Sequence, residues 1–183
     1  MFGGASININ DLFDLSDRMA KGVDDNNNTI NGAIIEGAIN DPYKNKASGS
    51  NSHAEGTATT ASGSASHAEG NSTTASSYQS HAEGSGTTAS GQMSHAEGSN
   101  TTASGDMSHA ECNSTIASGD YSHAEGYSTT ASGNSSHAEG SNTIASGKQS
   151  HAEGRTNYSF SKTVNNKTYT QAGAYGQVSH SEG

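Results

Sequence analysis

The middle of this 183-residue chain is a fourteen-residue repeat that recurs with few departures from Ser52 to Gly154. In register it reads S-H-A-E-G-x-x-T-[TI]-A-S-G-x-x, and beneath it lies a seven-residue pattern, [ST]-x-A-x-G-x-x. Small residues alternate with larger ones within each five-residue stretch, and a period of two predicts an extended strand. The two variable residues between stretches are typical of tight turns. One repeat therefore predicts strand, turn, strand, turn, which is one coil of a β-solenoid with coils about 4.8 Å apart.

The composition fits a repeat protein better than a globular domain with one core. Only 28% of the residues are hydrophobic, there is no Trp, and the formal net charge is −10. Without repetition this composition would predict disorder, but repeat proteins bury surface between neighbouring units. The acidic balance argues against a nucleic-acid partner, and no apolar stretch is long enough for membrane insertion. The single Cys excludes an intrachain disulfide framework.

Side-chain size assigns the two faces of each strand. A coil with two short strands has almost no interior, so only Ser, Ala, Gly and the first Thr of each repeat can point inward. His and Glu therefore point outward on one sheet, and the second Thr and the next Ser point outward on the other, as in Thr60 and Ser62. Such small residues bury little apolar area, so a single solenoid is expected to need partners. Three coils around an axis would supply the missing buried surface.

At this point the pattern resembles a known family. The [ST]-x-A-x-G heptad in fourteen-residue coils resembles the head repeat of trimeric autotransporter adhesins. The sequences SHAEG and TTASG are similar to the version of this repeat found in fibres of bacteriophages of Gram-positive hosts. The resemblance covers about residues 46–154 and returns at Ser179. It implies an all-β fold, a left-handed parallel β-roll that packs as a homotrimer. In the adhesins the outward pair is typically Val and Ile, which form the apolar trimer seam, whereas His and Glu stand here.

The outward His and Glu residues, named here the His–Glu ladder, are the candidate site. Their match to the family's seam position favours a trimer interface in which imidazoles donate to carboxylates of neighbouring chains. Such a seam predicts raised histidine pKa values, and a stability that is lost as pH rises through them. The alternative leaves the ladder in solvent and uses the opposite sheet, which carries Ile116 and Ile144, as the seam. The ladder consists of His53, Glu55, His67, Glu69, His81, Glu83, His95, Glu97, His109, Glu111, His123, Glu125, His137, Glu139, His151 and Glu153.

Metal binding, catalysis and ice binding are weaker interpretations of the repeat than a trimer seam. His and carboxylates are good metal ligands, but an isolated solenoid is expected to present them as a flat array without a closed cage, so neither a metal nor a cofactor is predicted. Equivalent copies without enclosing loops form no pocket, so no catalytic residue and no enzymatic activity are predicted. The ice-binding interpretation is weakened because each coil has only one outward Thr. Cys112 replaces a Gly and is interpreted as a small buried thiol.

The two ends depart from the repeat and divide the chain into further segments. Residues 1–45 are expected to form an attachment or trimerisation segment, either a short helix or coiled coil or short strands, because apolar residues recur there at helical spacing. Residues 46–154 are the β-roll, residues 155–178 an aromatic-containing insertion in which Asn165 and Asn166 could turn a hairpin, and residues 179–183 the start of a further repeat. The insertion is either a receptor contact or a wider coil that packs its aromatics at the trimer axis. The receptor-binding candidates are Tyr158, Phe160, Tyr169 and Tyr175.

Together these observations predict a structural, trimeric fibre or spike of a bacteriophage virion. It would bind other virion proteins through its N-terminal segment and a bacterial cell-surface receptor through its tip. The N-terminal residues show no signal-peptide pattern, so the chain is expected to be made in the host cytoplasm and to reside in the virion. The alternative is the head domain of a bacterial trimeric surface adhesin, and the third reading is an ice-binding protein.

Overall fold

The computed structural model of the chain describes residues 19–23, 29–37, 45–155, 162–164, 167–169, 173–174 and 180–182. These residues form β-strands and turns, with no helix among them. Accordingly, no helix long and apolar enough to cross a membrane occurs in this part of the chain. In chain order the strands are β1 Met19–Val23, β2 Thr29–Gly37, β3 Lys46–Ala47, β4 His53–Thr57, β5 Thr60–Ala61, β6 His67–Asn71, β7 Thr74–Ala75, β8 His81–Ser85, β9 Thr88–Ala89, β10 His95–Ser99, β11 Thr102–Ala103, β12 His109–Ala110, β13 Ile116–Ala117, β14 His123–Ala124, β15 Thr130–Ala131, β16 His137–Ala138, β17 Ile144–Ala145, β18 His151–Glu153, β19 Lys162–Val164, β20 Lys167–Tyr169, β21 Gly173–Ala174 and β22 His180–Glu182.

The strands stack into two parallel ladders, as a solenoid requires. The first sheet has eleven strands in the order β1-β2-β4-β6-β8-β10-β12-β14-β16-β18-β22, and the second has nine in the order β21-β17-β15-β13-β11-β9-β7-β5-β3. The repeat period sets the register, so that His53 pairs with His67 and Glu55 with Glu69. Each coil contributes one strand to each sheet, which confirms the predicted all-β parallel solenoid of fourteen-residue coils.

The interior between the two sheets holds only small side chains. Every repeat alanine from Ala47 to Ala152 is fully buried, as is the first Thr of each repeat, and the inward Ser residues are at most 2% exposed. In five coils the inward Ser closes the second turn: Ser94 Oγ donates to the carbonyl of Gly91 at 2.7 Å, and the same contact is made by Ser52, Ser66, Ser80 and Ser108. The assignment made from side-chain size is therefore confirmed for the inward Ala, Ser and Thr and for the outward His and Glu, but it is wrong for the Gly after each Glu, which is exposed or half-buried.

The turns depend on left-handed backbone at fixed positions. In the first turn Ala58 has φ 57°, and in the second Ala65 has φ 56°. The Gly after each Glu has φ near that of Gly84, 105°, where an added Cβ would lie 2.1 Å from the carbonyl oxygen of the next coil. Cys112 occupies this position with φ 77° and is exposed, so the prediction of a buried thiol is wrong. The position favours Gly for its backbone conformation, not for its small size in a core.

The N-terminal segment is strand where the structure describes it. β1 and β2 pair antiparallel, and β2 then joins the first sheet in parallel with β4, with Ile34 opposite His53 and Glu36 opposite Glu55. The helical or coiled-coil alternative is therefore wrong for Met19–Val23 and Thr29–Gly37, and the strand alternative is right. Thr and Ile in β2 favour extended backbone, and Gly residues in both strands disfavour a helix. The rest of this segment lies outside the described residues.

The C-terminal insertion enlarges one turn of a single coil. β22 pairs in parallel with β18, with His180 opposite His151, and β21 pairs with β17, with Ala174 opposite Ala145. The extra residues therefore lie between Arg155 and the second strand of that coil. β19 and β20 pair antiparallel with two residues between them, which confirms the predicted hairpin.

Candidate functional site

The His–Glu ladder lies along the outer face of the first sheet. Alternation in each strand buries the Ala between His and Glu completely and leaves both neighbours half-buried, as in β8 and β10. Because parallel partners are in register, like residues stack on like, His95 on His81 and Glu97 on Glu83. All sixteen ladder residues predicted from the sequence share this face, so the structure brings the whole set together. Their predicted role as a trimer interface stays a prediction.

The histidines form a continuous stack of parallel rings. From His53 to His151 successive ring centroids are 4.7–4.9 Å apart, and the ring planes differ by no more than 10°. His180 meets the end of the stack edge-on, with an interplanar angle of 78°. Two protonated rings at this separation would repel each other by about 1 kcal/mol in water and by about 3.5 kcal/mol at an effective dielectric constant of 20. The geometry therefore disfavours a fully protonated stack.

Histidine pKa values follow from this stacking. Burial, followed by the neighbouring rings, lowers the pKa of His81 and of His109, and burial together with His53 lowers the pKa of His67. This direction is opposite to the raised pKa values expected for a His–Glu seam. The reason is that loss of water and like-charge neighbours in the single chain outweigh the nearby carboxylates.

Each imidazole Nε2 points toward the glutamate column. Within one coil Nε2 lies 3.6–3.8 Å from a carboxylate oxygen of the Glu two residues later. Between coils Nε2 lies 3.1–3.9 Å from the Glu of the preceding coil. Two of these contacts are hydrogen bonds, from His123 to Glu111 at 3.1 Å and from His137 to Glu125 at 3.3 Å. Rings and carboxylates therefore interleave along the ladder.

Hydrogen bonding between stacked carboxylates shifts the pKa of three glutamates of the ladder. A hydrogen bond with Glu97, together with burial and Glu69, raises the pKa of Glu83 to about 7. The same hydrogen bonding lowers the pKa of Glu97, and a hydrogen bond with Glu55 lowers that of Glu69. The cause is the register of the sheet, which holds like charges one coil apart. Glu83 therefore holds a proton near neutral pH, which an isolated surface glutamate does not do.

Five groups of ladder residues place three possible metal ligands within 4.8 Å of one another. Three of the groups combine one His with the Glu of its own coil and the Glu of the preceding coil, and two combine two His with one Glu. The rings and carboxylates lean toward each other within the outer face, and the prediction that they form no closed cage stays a prediction. An open groove of about 480 Å³ runs beside the glutamate column, lined by Glu69, Glu83, Gly84, Glu97, Gly98, Glu111 and Cys112.

The sequence reasoning missed an apolar edge at the second turn of the coils. Tyr78, Met93, Met107 and Tyr121 occupy consecutive coils there and are 41–61% exposed. Met93, Met107 and Tyr121 also have positive φ, a conformation that bulky residues rarely adopt. The available signal was the presence of large apolar residues at positions that other coils fill with Ser, Asn or Ala.

The predicted receptor-binding aromatics lie mostly beyond the part of the chain that the structure describes. Tyr169 ends strand β20 of the inserted hairpin. Tyr158, Phe160 and Tyr175 lie outside the described residues. Their role as receptor contacts stays a prediction.

Comparison with known proteins places the coils in a recognisable class. No curated protein matches the chain. Residues 82–111, 124–150 and 138–154 match the family described as the YadA head domain repeat. These matched coils contain the buried Ala column and the stacked His–Glu ladder. The central coils of this chain are therefore similar to the head repeats of trimeric autotransporter adhesins.

Proposed function

We propose that this chain is the head domain of a homotrimeric surface attachment protein of the adhesin type. The observation that carries the proposal is the match between its parallel fourteen-residue coils and the YadA head domain repeat. A solenoid head is a rigid spacer that holds binding surfaces away from the surface that carries it. Such a role needs regular stacking and outer faces free to contact a partner, and it needs no catalytic group.

Homotrimer formation is part of the proposal and has a physical basis. The interior consists of Ala, Ser and Thr side chains, so folding of one chain buries little apolar area per residue. Association of three copies would bury one outer face of each and add to that area. The His–Glu ladder and the opposite Thr/Ile sheet are the two faces that could form the seam. The family match supports the trimer at the level of the family alone.

A bacteriophage fibre is the second candidate function. The observation that favours it is the ladder itself, because His and Glu stand where the adhesin repeat typically carries Val and Ile. In this reading the N-terminal segment contacts other virion proteins, and the receptor is on a bacterial cell. The family match favours the adhesin head over this reading.

The test begins with the mass of the full chain in solution, by sedimentation equilibrium. A stable, folded monomer would contradict the trimer. Beads coated with the chain would then be applied to immobilised extracellular-matrix proteins, to host cells and to bacterial cells. Retention on matrix or host cells supports the adhesin head, whereas retention on bacteria alone supports the fibre.

A deletion variant separates the insertion from the coils in the same assay. Removing residues 156–170 returns the spacing from His151 to His180 to that of one repeat. If the insertion carries the receptor contact, this variant should keep the oligomeric state and the melting temperature of the parent chain, and its beads should no longer be retained. Equal retention by both proteins would assign binding to the coils instead.

A further inference from the structure

We propose that the His–Glu ladder binds transition-metal dications of the zinc class, each held by one imidazole and the two carboxylates on either side of it. This proposal is independent of the adhesin function and of the oligomeric state. It rests on the contacts of ladder residues in the described part of the chain.

The distances between the ladder groups are close to those found within one coordination sphere. His151 Nε2 lies 3.6 Å from an oxygen of Glu139 and 3.8 Å from an oxygen of Glu153. Ligand atoms about 2.1 Å from a zinc ion are about 3.4 Å apart at the tetrahedral angle. The two His–Glu distances therefore need to close by only a few tenths of an ångström, and the flexible Glu side chains can bring all three ligand atoms, which lie within 4.8 Å of one another, around one ion.

Five of the ladder imidazoles have an Nε2 atom that makes no hydrogen bond within the described residues. Nε2 of His67, His81, His95, His109 and His151 is shielded from water and makes no hydrogen bond to described residues. Nε2 of His151 nevertheless lies within 4 Å of two carboxylates, and Nε2 of each of the others lies within 4 Å of one. An ion at this point would satisfy the nitrogen lone pair and neutralise the carboxylates together. Neutral imidazole is the form that binds metal.

Ring geometry decides which ligands one ion can take. His137 and His151 are stacked with planes only 4° apart and centroids 4.9 Å apart. An ion in the plane of one ring is therefore far out of the plane of the next, so each ion takes a single imidazole. The groups that fit are Glu55–His67–Glu69, Glu125–His137–Glu139 and Glu139–His151–Glu153. The combination of imidazole with carboxylate selects zinc-like ions over Ca²⁺ and Mg²⁺, which prefer all-oxygen sites.

Charge sets the expected number of ions. A dication is neutralised by two carboxylates, and each carboxylate borders two adjacent rings. The groups that fit should therefore hold about two ions, because the His137 and His151 groups share Glu139 and filling both would place uncompensated charge one coil apart.

The test uses the full chain, without a histidine tag and stripped with a chelator. Calorimetric titration with ZnCl₂ at pH 7.5 should give about two ions per chain with micromolar or tighter affinity, and CaCl₂ and MgCl₂ should give no comparable binding. Co²⁺ should produce the visible absorption of a site with nitrogen and oxygen ligands. Sedimentation under the same conditions records the oligomeric state, so a failed trimer and a failed metal site are distinguishable.

Two variants with the same charge change locate the ions. Glu139→Gln removes the carboxylate shared by two groups and should lower the Zn²⁺ stoichiometry by about one ion. Asp120→Asn, at a turn outside the ladder, should leave it unchanged. Both positions are on the outer surface, and circular dichroism will check that each variant is folded. Absence of Zn²⁺ binding, equal binding of Ca²⁺, or an equal loss in both variants would overturn the proposal.

Discussion

Replacing one buried alanine with leucine tests the packing of the solenoid most directly. Ala96 is fully buried, and Ala82 and Ala110 lie directly on either side of it in the adjacent coils. Overpacking a well-packed core costs about 1–3 kcal/mol, and here no long side chain can move aside, so Ala96→Leu should cost about 3 kcal/mol or more. For a chain of this length that loss corresponds to a decrease of about 6–12 °C in melting temperature. Thermal melting followed by far-ultraviolet circular dichroism measures it.

The matched control places the same leucine at a turn. Ser64 is exposed, and the next coil carries Tyr78 at the equivalent position with 49% exposure, so a bulky side chain fits there. Ser64→Leu should therefore change the stability by no more than about 0.5 kcal/mol. If Ala96→Leu melts like the parent, the interior assignment is refuted. If both variants melt at the same reduced temperature, the loss comes from added apolar surface and not from overpacking.

Two further predictions concern pH and backbone strain. Because burial and stacking lower the pKa of His67, His81 and His109, their contribution to stability should be present above the unfolded value of 6.5 and be lost as pH falls through the folded values. Glu83 acts in the opposite direction, because its raised pKa gives stability that is present below 4.5 and lost as pH rises through about 7. The melting temperature should therefore peak near neutral pH, and a flat profile between pH 5 and pH 9 would contradict this. Cys112→Gly should stabilise the chain by about 0.5–1 kcal/mol in denaturant titrations, since φ 77° disfavours a side chain, and the parent thiol should react with a maleimide without unfolding. A lower stability for the glycine variant would show that Cys112 makes contacts that outweigh the strain.

The sequence predicted the coil, its register and its two faces because one physical constraint controls all three. An interior too narrow for any large side chain forces small residues to every second position, and that spacing is readable without a structure. The same reasoning failed for Cys112, because Gly recurs in the repeat for two reasons that look identical in sequence. One Gly column is buried, and the other is exposed and needs positive φ.

The pairing of strand β2 was hidden by an irregular spacing. Residues Ile34 to Gly37 pair with His53 to Gly56, but the two stretches are separated in the sequence by more than one fourteen-residue repeat. Extra residues lie in the same turn that carries the C-terminal insertion. A coil with an enlarged turn cannot be recognised from a fixed repeat length. The only available signals for this coil were the Glu-Gly pair of β2 and the later Ala of β3.

The convergence of rings and carboxylates could not be read from spacing either. Sequence periodicity places His and Glu on one face, but side-chain torsions decide whether Nε2 points along the ladder or away from it.

Within the repeats, the outward Thr is replaced by Ile116 and Ile144, and the turns hold residues as different as Asp, Met and Tyr. His and Glu do not vary in any of the eight repeats, although packing of the coil does not require them. Simple duplication would not spare these two columns while the turns diverge. The invariance of these two columns on an outer face therefore points to a ligand or a partner chain that contacts the whole column.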